Sequence, residues 1–373
     1  MKRRSLFVLR LLQSTLDQTL QHAPAQGLAH LAQLIDTDWI SQALNASGKA
    51  SIRRRKLPAD HALWLVIGLS LYRQMPMWQV VQQLSLSLSA DLPAPSVSVQ
   101  ARQRLGSEPL RQLFGLLTQA WTRPCAPGQA LRVLAVDGTV FSAPDTAENR
   151  TALGSSATQH GPLPWPQVRA VCLLDTDTHE LLDAQVGSMD QGELTLAKKL
   201  NAPANSLTLF DRAYFSADFL SGWQSGENRH WLMRAKDNLR YEIIRKNAAH
   251  DFHIRMPVSP RAKKLNPDLG DYWEARLIEA EQSGKVRRYI TSLLDSKIYL
   301  LKEVSALYAQ RWEIEMCYRE IKSDLQAGMH LRSRQPELVY QELWGVLIAY
   351  NILRRQMKFM AQRAKVSPLR ISF

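Results

Sequence analysis

The chain has 373 residues, 45% of them hydrophobic and 22% charged, a balance typical of a soluble globular protein with two or three domains. A formal net charge of +13 favours a polyanionic partner, although a basic protein without such a partner has the same charge. The three cysteines form no C-x-x-C pair, which argues against a disulfide framework and a cysteine zinc site and fits a reducing cytoplasm.

No membrane span is expected. The longest apolar run, ALWLVIGLSLY at 62–72, is shorter than the roughly 20 residues that a span needs. The basic start MKRRSLFVLRLL is interrupted by Arg10 and is followed by no small-residue cleavage site. We therefore expect a cytoplasmic protein without a membrane partner.

Residues 1–125 are predicted to be helical, because apolar residues recur there at helical spacing in four segments. A basic run at 53–56, with three arginines followed by Lys56, indicates DNA binding. A solvated charged face is the alternative interpretation of this run.

The segment PSVSVQARQRLGSEPLRQLF resembles a helix-turn-helix. Ser96 would cap a first helix that bears Arg102 and Arg104, and Gly106 would end it before a second helix. This arrangement also indicates DNA binding, with a solvated charged face again as the alternative.

The pattern changes at 126–131, where PGQA gives way to the buried-strand pattern LRVLAVDGTVF. QVRAVCLLD and ELLDAQVGS flank TDTH as a predicted hairpin, GELTLAKKL predicts a helix, and NSLTLFDRAYF predicts another buried strand. Ser216 is the expected cap of the helix ADFLSGW, and HWLMRA is a further strand. Residues 131–235 thus predict the order β-β-β-α-β-α-β in a mixed sheet.

Residues 237–300 are basic, polar and contain proline, and we interpret them as a β-rich insertion that ends in the strand VRRYITS. A long helix is predicted from about residue 302. A second long amphipathic helix follows over PELVYQELWGVLIAYNILRRQMKFMAQRA.

Two carboxylates come directly after buried strands. Asp137 follows VLAV, and Asp211 follows LTLF. A sheet places such residues at the mouth of the domain, where ligands usually bind. A single Asp in this position is commonly a helix or turn cap, but two of them favour a site.

The segment YAQRWEIEMCYREIKSDL carries a glutamate among cations. At about 100° per residue, Tyr308, Arg311, Glu315 and Lys322 would share an arc of about 60° on roughly 20 Å of helix. That arc adjoins an apolar stripe, so the polar row would lie at the edge of the buried face. The alternative is an exposed ladder in which Arg311 and Arg319 pair with Glu315 at i, i+4.

Carboxylates from two strands and a helix suit a two-metal site for phosphoryl transfer. Their oxygens are hard ligands for Mg²⁺ or Mn²⁺. Two such ions about 3.5–4 Å apart activate the attacking oxygen and stabilise the leaving one. The row of cations and Tyr308 would then hold a phosphate backbone beside the metals.

Tyr308, Arg311, Glu315 and Lys322 have the spacing Y-x2-R-x3-E-x6-K, which resembles the signature of the insertion-sequence-four family of bacterial DDE transposases. VLAVDGT and LTLFDRAYFS resemble that family's first and second Asp motifs, in the right order. The long gap between Asp211 and Glu315 suits the β-strand insertion that these enzymes carry inside an RNase H-like fold. IRRRKLP, SVSVQARQRLGSEPLR and PELVYQELWGVLIAYN also resemble family segments, so the resemblance covers nearly the whole chain.

The resemblance implies cut-and-paste transposition, with Asp137, Asp211 and Glu315 as catalytic residues that ligate two Mg²⁺ ions, for which Mn²⁺ can substitute. It implies water attack at the transposon end, a hairpin made by the freed 3′-hydroxyl, and strand transfer into a target. The implied partners are double-stranded DNA, as terminal inverted repeats and target, and a second copy in a homodimer on paired ends at the bacterial nucleoid. The expected DNA-contacting residues are Tyr308, Arg311, Lys322, Arg319, Arg212, Arg234, Lys236, Arg102 and Arg104.

The chain departs from the family in two places. Hairpin-forming relatives can stack a Trp on a flipped base, but the strand VRRYITS has none, so Tyr289 or Trp273 is the base-stacking candidate, with a core position as the alternative. The chain ends at VSPLRISF, where relatives continue into a helical region associated with subunit pairing. The alternative function is therefore a truncated, catalytically incompetent copy that binds transposon ends and inhibits transposition.

A third hypothesis is a sugar-kinase-like ATPase, since such proteins also have an Asp-Gly-Thr loop after a strand. That fold needs further glycine-rich phosphate loops. The 17 glycines here form no such cluster, which argues against it.

The resulting prediction is an α/β protein with an RNase H-like catalytic core. Its parts in chain order are a helical N-terminal DNA-binding region (1–125), the first part of the core (126–236), the β-rich insertion (237–300), the catalytic helix that completes the core (301–330) and a C-terminal helical segment (331–373).

Overall fold

The structure is a computed structural model that describes residues 34–50, 56–88, 94–122, 130–159, 161–282 and 284–373. The chain divides into two compact units. The first unit combines the described residues up to Trp121 with Phe141–Val168 and Arg319–Phe373, and the second comprises the described residues of Thr122–Val140 and Arg169–Tyr318. The chain start, Arg53, Arg54, Arg55 and Cys125, on which sequence predictions were based, lie outside the described residues.

The regular elements are as follows. The helices are α1 (Thr37–Ala46), α2 (Ala59–Leu71), α3 (Met77–Gln83), α4 (Pro95–Leu105), α5 (Glu108–Trp121), α6 (Ala147–Leu153), α7 (Glu193–Ala197), α8 (Ala217–Gln224), α9 (Pro260–Leu265), α10 (Leu301–Leu307), α11 (Trp312–Arg319) and α12 (Pro336–Ala364). The strands are β1 (Arg132–Ser142), β2 (Ala157–Thr158), β3 (Gly161–Pro162), β4 (Gln167–Asp175), β5 (Leu181–Ser188), β6 (Ser206–Phe210), β7 (Arg229–Arg234), β8 (Glu242–Ala248), β9 (Asp251–Pro257), β10 (Tyr272–Gln282) and β11 (Lys285–Thr291). Short 3₁₀-helices cover Arg212–Tyr214, Tyr308–Arg311 and Pro368–Arg370, and a π-helix covers Glu320–Leu325.

The first unit is built around the long helix α12, against which α2 and α5 pack. The sequence of α2 is apolar on all sides, and the helix is buried along most of its length. Gly345 allows α12 to approach α2 closely, because a Cβ atom there would lie 2.8 Å from Cγ1 of Val66 and 3.1 Å from its carbonyl oxygen. A larger residue at this position would force the two helices apart.

The predicted pair of helices around Gly106 is confirmed. Helix α4 ends at Gly106, whose φ of 72° lies in the left-handed region that glycine adopts without strain. Ser96 is not the cap, however. The N-cap is Ala94, and Pro95 is the first helical residue, where a missing N–H costs nothing.

The second unit is built on a nine-stranded sheet with the order β5-β4-β1-β6-β7-β11-β10-β9-β8. Strand β1 pairs parallel with β6, and β6 pairs parallel with β7, whereas the pairs from β7 through β11, β10 and β9 to β8 are antiparallel. The predicted order of elements over residues 131–235 is confirmed, and α6 with the short β2–β3 hairpin lies between the first two predicted strands. The strands of the insertion continue the core sheet through β11 and β7, so they do not form a separate sheet.

Aromatic side chains fill one face of this sheet beside the end of β6. The ring of Phe210 lies 5.7 Å from that of Tyr214, 5.2 Å from that of Phe219 and 5.1 Å from that of Trp223. Offset and edge-on arrangements of this kind are favourable beyond the apolar area that they bury. They fix the end of β6 and the turn that follows it.

A buried ion pair anchors the insertion strands. The Arg276 side chain is fully buried, and it donates from Nε to Oδ1 of Asp251 at 2.8 Å and from Nη2 to Oδ2 at 2.5 Å. Its Nη1 donates to the carbonyl oxygen of Tyr299 at 2.6 Å. The pair therefore joins β9 and β10 to the chain that leads into α10.

Replacing Arg276 by Met is expected to lower the free energy of unfolding by about 3–5 kcal/mol, because it leaves the Asp251 carboxylate buried without a counter-charge. Denaturant titration followed by circular dichroism measures the change. The double variant Asp251→Leu, Arg276→Met is the matched control and should recover most of the loss, since it buries no charge. A single variant as stable as the parent would contradict the assigned role of the pair.

Candidate active site

The register of β1 and β6 brings two carboxylates to one edge of the sheet. Val136 pairs with Phe210, and the next residues are Asp137 and Asp211. The prediction that Asp137 ends its strand is wrong, because β1 continues to Ser142, but the parallel register still places Asp137 beside Asp211, where β6 ends. Oδ1 of Asp137 accepts a hydrogen bond from the N–H of Gly138 at 2.9 Å.

Asp211 also has the local role that the sequence left open. It is the N-cap of a short 3₁₀-helix, and its Oδ1 accepts from the N–H of Ala213 at 3.0 Å. The cap fixes the direction of the Asp211 side chain as the chain leaves β6. A capping role and a place in a site are therefore compatible here.

Two tyrosine hydroxyls attach the signature segment to the ends of these strands. Tyr308 donates to the carbonyl oxygen of Phe210 at 3.3 Å, and Tyr318 donates to the carbonyl oxygen of Asp137 at 2.6 Å. Burial raises the pKa of both phenols, so each remains a protonated donor at neutral pH. The segment that carries Glu315 is thereby held at both ends, beside Asp137 and beside the residue before Asp211.

The turn between β4 and β5 holds the same segment from another side. The hydroxyl of Thr176 donates to Oε1 of Gln310 at 2.9 Å, and Nε2 of His179 lies 2.9 Å from Oε2 of Glu313. The predicted TDTH hairpin is confirmed. It also positions the segment, which the sequence did not indicate.

The prediction of one regular helix over the signature is wrong. Tyr308–Arg311 is a 3₁₀-helix, Trp312–Arg319 is α-helical and Glu320–Leu325 is a π-helix. The projection at about 100° per residue does not hold in such turns, so the predicted arc that included Lys322 is not valid. Single π-turns inside helices are frequent at functional sites.

Arg311 is the cation at the centre of the acidic residues. Its Nη2 donates to Oε1 of Glu315 at 2.7 Å, which is the i, i+4 pair that the sequence predicted as an alternative. Its charge also acts on Asp137 and on Asp211. One guanidinium thus offsets the charge of all three carboxylates that the sequence singled out.

The pKa of Asp137 is raised to about 6, chiefly by burial and also by the charges of Glu193 and Glu315, against the lowering effects of the Gly138 N–H and of Arg311. Ionisation of Asp137 is therefore less favourable than that of an exposed Asp. A bound cation would favour the ionised form.

The carboxylates have hard oxygen donors that fit Mg²⁺ or Mn²⁺. Among the described residues, no three acidic, histidine or cysteine side chains converge closely enough to hold a metal ion as they stand. The Glu315 carboxylate is instead engaged by Arg311. The chemical type of these donors therefore fits a divalent ion. The carboxylate side chains must reorient before they can bind one together.

A cavity of about 460 Å³ adjoins the end of β6 and is lined by Asp211, Arg212 and Lys236 among others. Arg212 is exposed and lies 3.5 Å from Oδ2 of Asp237. Nζ of Lys236 lies 5.1 Å from the ring centre of Phe215. Two of the predicted DNA-contacting cations thus lie beside the second Asp motif, at an open surface.

The other cations predicted to contact DNA lie in different surroundings. Arg234 is partly buried at the end of β7, whereas Arg104 and Arg319 are exposed. Nζ of Lys322 lies 5.3 Å from the ring centre of Phe141, and burial lowers the pKa of this lysine.

Arg102 requires a correction. It is buried, and its Nε donates to Oε1 of Gln341 at 2.8 Å while its Nη2 donates to Oγ of Ser333 at 3.0 Å. The guanidinium is thus used inside the first unit and is not presented to DNA. We withdraw Arg102 from the set of DNA-contacting residues.

Of the two base-stacking candidates, Tyr289 has the core position that was its alternative, and Trp273 is half-buried. Tyr289 is 1% exposed, donates to Oε1 of Gln282 at 2.8 Å and has its ring 5.1 Å from that of Tyr308. The ring of Trp273 lies 5.7 Å from that of Phe215 and packs against the core cluster. The Tyr289 ring is not available to stack on a base, whereas base stacking by the half-buried Trp273 stays a prediction.

Glu193 was missed by the sequence interpretation. It is the first residue of α7, and its side chain lies against Gly138, next to Asp137. No local pattern distinguishes Glu193, because an acidic residue in the first turn is ordinary for any helix. Its position beside Gly138 of β1 depends on the path of the chain from the end of β5 to the start of α7.

Comparisons with known proteins agree with this geometry. A family model described as a transposase DDE domain matches residues 128–352, and one for the insertion element 4 transposase N-terminal region matches residues 25–115. The chain is 40% identical over 346 residues to the transposase InsG for insertion sequence element IS4 of Escherichia coli strain K12, with 91% of this chain and 78% of that protein covered. It is 36% identical over 239 residues to the putative transposase InsZ of the same organism, with 61% and 78% covered.

Among solved structures, a piggyBac transposase synaptic complex with hairpin DNA covers 90% of this chain and 74% of its own, with a TM-score of 0.45 and 8% identity. This similarity is too low to add to the argument.

The strand-end carboxylates and the matched domain define the class of protein as a DDE transposase with an RNase H-like core. More narrowly, the chain belongs to the insertion sequence 4 family, as the two domain models and the E. coli relatives show. Transposases of this class bind DNA, cleave and transfer its strands and depend on divalent metal ions. The truncated-copy and ATPase hypotheses are not favoured.

In the part of the chain that the structure describes, no helix combines the length and the apolar character that crossing a membrane requires.

Replacing Asp137 by Asn is expected to raise the free energy of unfolding of the metal-free protein at pH 7.5 by roughly 1–3 kcal/mol, because the ionised carboxylate is buried near Glu193 and Glu315. The raised pKa gives the parent a stability contribution that is complete below about pH 4 and is lost as the pH rises through about 6. The gain of the variant should therefore vanish near pH 4.

Thermal unfolding across this pH range in chelator measures the effect. Asp268→Asn, at an exposed carboxylate in the same unit, is the control and should show no pH-dependent gain. A variant that is less stable than the parent at pH 7.5 would show that the ionised Asp137 carboxylate does not destabilise the fold.

Proposed function

We propose that this chain catalyses cut-and-paste transposition at the ends of an insertion sequence, with Asp137, Asp211 and Glu315 as its catalytic carboxylates. The observation that carries the proposal is the meeting of three elements at one sheet edge. Asp137 in β1 and Asp211 directly after β6 follow the last paired residues of two parallel strands, and Tyr308 and Tyr318 attach the segment with the glutamate beside them.

Two Mg²⁺ ions, or Mn²⁺ in their place, are the metals proposed for these carboxylates, and they would activate the attacking oxygen and stabilise the leaving oxygen. Glu315 is paired with Arg311, so the proposal requires that this pair separate when DNA arrives. A DNA phosphate is a suitable new partner, because a guanidinium binds phosphate through two parallel hydrogen bonds.

The remaining residues position the DNA. Tyr308, protonated and held on β6, would contact the strand near the cleaved end. Arg212 and Lys236, which line the cavity beside Asp211, would hold phosphates there. Exposed Arg319 and Arg104, together with Arg234 and Lys322, complete the proposed contacts.

The proposed substrates are terminal inverted repeats and a target duplex, and the proposed assembly is a homodimer on paired ends. The family supports both proposals, and the net charge of +13 supports binding of a polyanion. Hairpin formation would proceed without a stacked Tyr289, since that ring is buried, and the half-buried Trp273 remains the base-stacking candidate.

A labelled duplex that carries the DNA flanking this gene tests the proposal, with Mg²⁺ or Mn²⁺ present. The parent chain is expected to give nicks or hairpins at the element boundary. Glu315→Gln and Asp137→Asn should each reduce the rate by at least about 10²–10³-fold, as expected for loss of a group that stabilises transition-state charge. Glu303→Gln, at an exposed acid of α10, is the control and should cleave like the parent.

Cleavage by Glu315→Gln at the parental rate would contradict the assignment of the site. Binding of end DNA by the parent without cleavage under any metal condition would instead support the inhibitor hypothesis.

The Arg311–Glu315 pair gives a separate prediction. Replacing Arg311 by Met should strengthen Mn²⁺ binding in the absence of DNA by roughly 5-fold or more, because Glu315 is freed and the site loses a positive charge. The same variant should lose cleavage, because the proposed phosphate contact is gone. Electron paramagnetic resonance of free Mn²⁺ measures the first effect, and unchanged or weaker Mn²⁺ binding would contradict the proposed exchange of partners.

A further inference from the structure

Glu193 lies directly against the glycine that follows Asp137. A Cβ atom on Gly138 would lie 2.6 Å from Cδ of Glu193 and 2.8 Å from its Oε1. Because Gly138 has no side chain, the Glu193 carboxylate can occupy the space beside it. The Glu193 carboxylate therefore lies next to the first Asp motif.

Two buried polar groups without hydrogen-bond partners lie around this carboxylate. Tyr214 is 2% exposed, and its hydroxyl has no partner among the described residues. The phenol interacts electrostatically with Glu193, Asp137 and Asp211. Nε of Arg169 is also buried without a hydrogen bond, and it lies 3.9 Å from Oε1 of Glu193.

Unsatisfied groups of this kind are rare in folded proteins and are costly to bury. An ordinary helix-start role for Glu193 would account for an acid in the first turn of α7. It does not account for the orphaned Tyr214 hydroxyl. A Glu193 carboxylate that reorients toward a bound ligand would give this hydroxyl an acceptor.

The chemistry selects the ligand. Glu193 and Asp137 are neighbouring carboxylates, since Glu193 packs on the glycine that follows Asp137. A hard divalent cation matches carboxylate oxygens placed next to each other. Arg169 is restrained beside Glu193 by a 2.5 Å hydrogen bond from its Nη1 to the carbonyl oxygen of Gln191.

We propose that Glu193 is a fourth acidic residue of the divalent-cation centre, acting beside Asp137, and that the Tyr214 hydroxyl positions the Glu193 carboxylate once the cation is bound. The inference rests on the proposed function, since it concerns the cation assigned there to Asp137. Tyr214 is a positioning residue, because it acts through Glu193.

Mn²⁺ titration of the full chain without DNA tests the inference, with free Mn²⁺ followed by electron paramagnetic resonance. Glu193→Gln should weaken Mn²⁺ binding by about 10-fold or more, and Tyr214→Phe by about 10-fold, as expected for loss of a supporting group at a metal site. Glu303→Gln is the matched control and should bind like the parent. Asp137→Asn is the reference for loss of a proposed ligand.

The double variant Glu193→Gln, Tyr214→Phe separates a positioning role from a structural one. If Tyr214 acts through Glu193, the double variant should bind Mn²⁺ no more weakly than Glu193→Gln alone. Additive losses would overturn the role of Tyr214. Thermal unfolding without metal checks the fold, and Tyr214→Phe keeps the packed ring.

Two further outcomes distinguish the inference from the proposed function. Loss of binding in Asp137→Asn with parental binding in Glu193→Gln would overturn the inference and leave the proposed function standing. Failure of the parent to bind Mn²⁺, or parental binding in Asp137→Asn, would overturn the metal assignment in the proposed function, and the inference would fall with it.

Discussion

The parallel pairing of β1 with β6 is the constraint on which the carboxylate centre depends. The pairing ends at Val136 and Phe210, so the next residue of each strand is an aspartate at the same edge. A shift of one residue in either strand would turn its aspartate to the other face of the sheet. The aromatic cluster around Phe210 and the Tyr308 hydrogen bond both act on this register, since both hold the end of β6.

The second constraint is electrostatic. The negative charges of Glu193 and Glu315 disfavour ionisation of Asp137. The positive charge of Arg311 favours it. In the proposed function the same guanidinium would release Glu315 to the cation and bind a DNA phosphate, so one side chain would couple metal binding to DNA binding.

Local patterns in the sequence predicted a large part of this fold. The apolar strands before Asp137 and Asp211, the TDTH hairpin, the end of α4 at Gly106 and the position of β11 follow from periodicity and turn chemistry, which act over a few residues. The signature predicted that Arg311 and Glu315 are neighbours, because i, i+4 residues meet on one side of a helix.

The errors have a common physical cause, which is contact between residues distant in the chain. Arg102 is buried because Gln341 and Ser333 receive its hydrogen bonds, and Tyr289 is buried because Tyr308 and Gln282 pack on it. Glu193 reaches Gly138 through the path of β5, which no local pattern encodes. The π-turn after Arg319 depends on packing against α12, so a regular helical projection could not predict it.

The continuous sheet has a consequence for how the protein can be shortened. The insertion resembles an accessory segment in sequence, but β11 pairs with β7, and β7 pairs with β6, which carries Phe210. Excision of the insertion would expose the backbone of β7 as an open edge, the kind of surface on which chains associate through new strand pairing. A minimal enzyme would therefore have to replace β11 with another covering strand rather than join the chain across the gap.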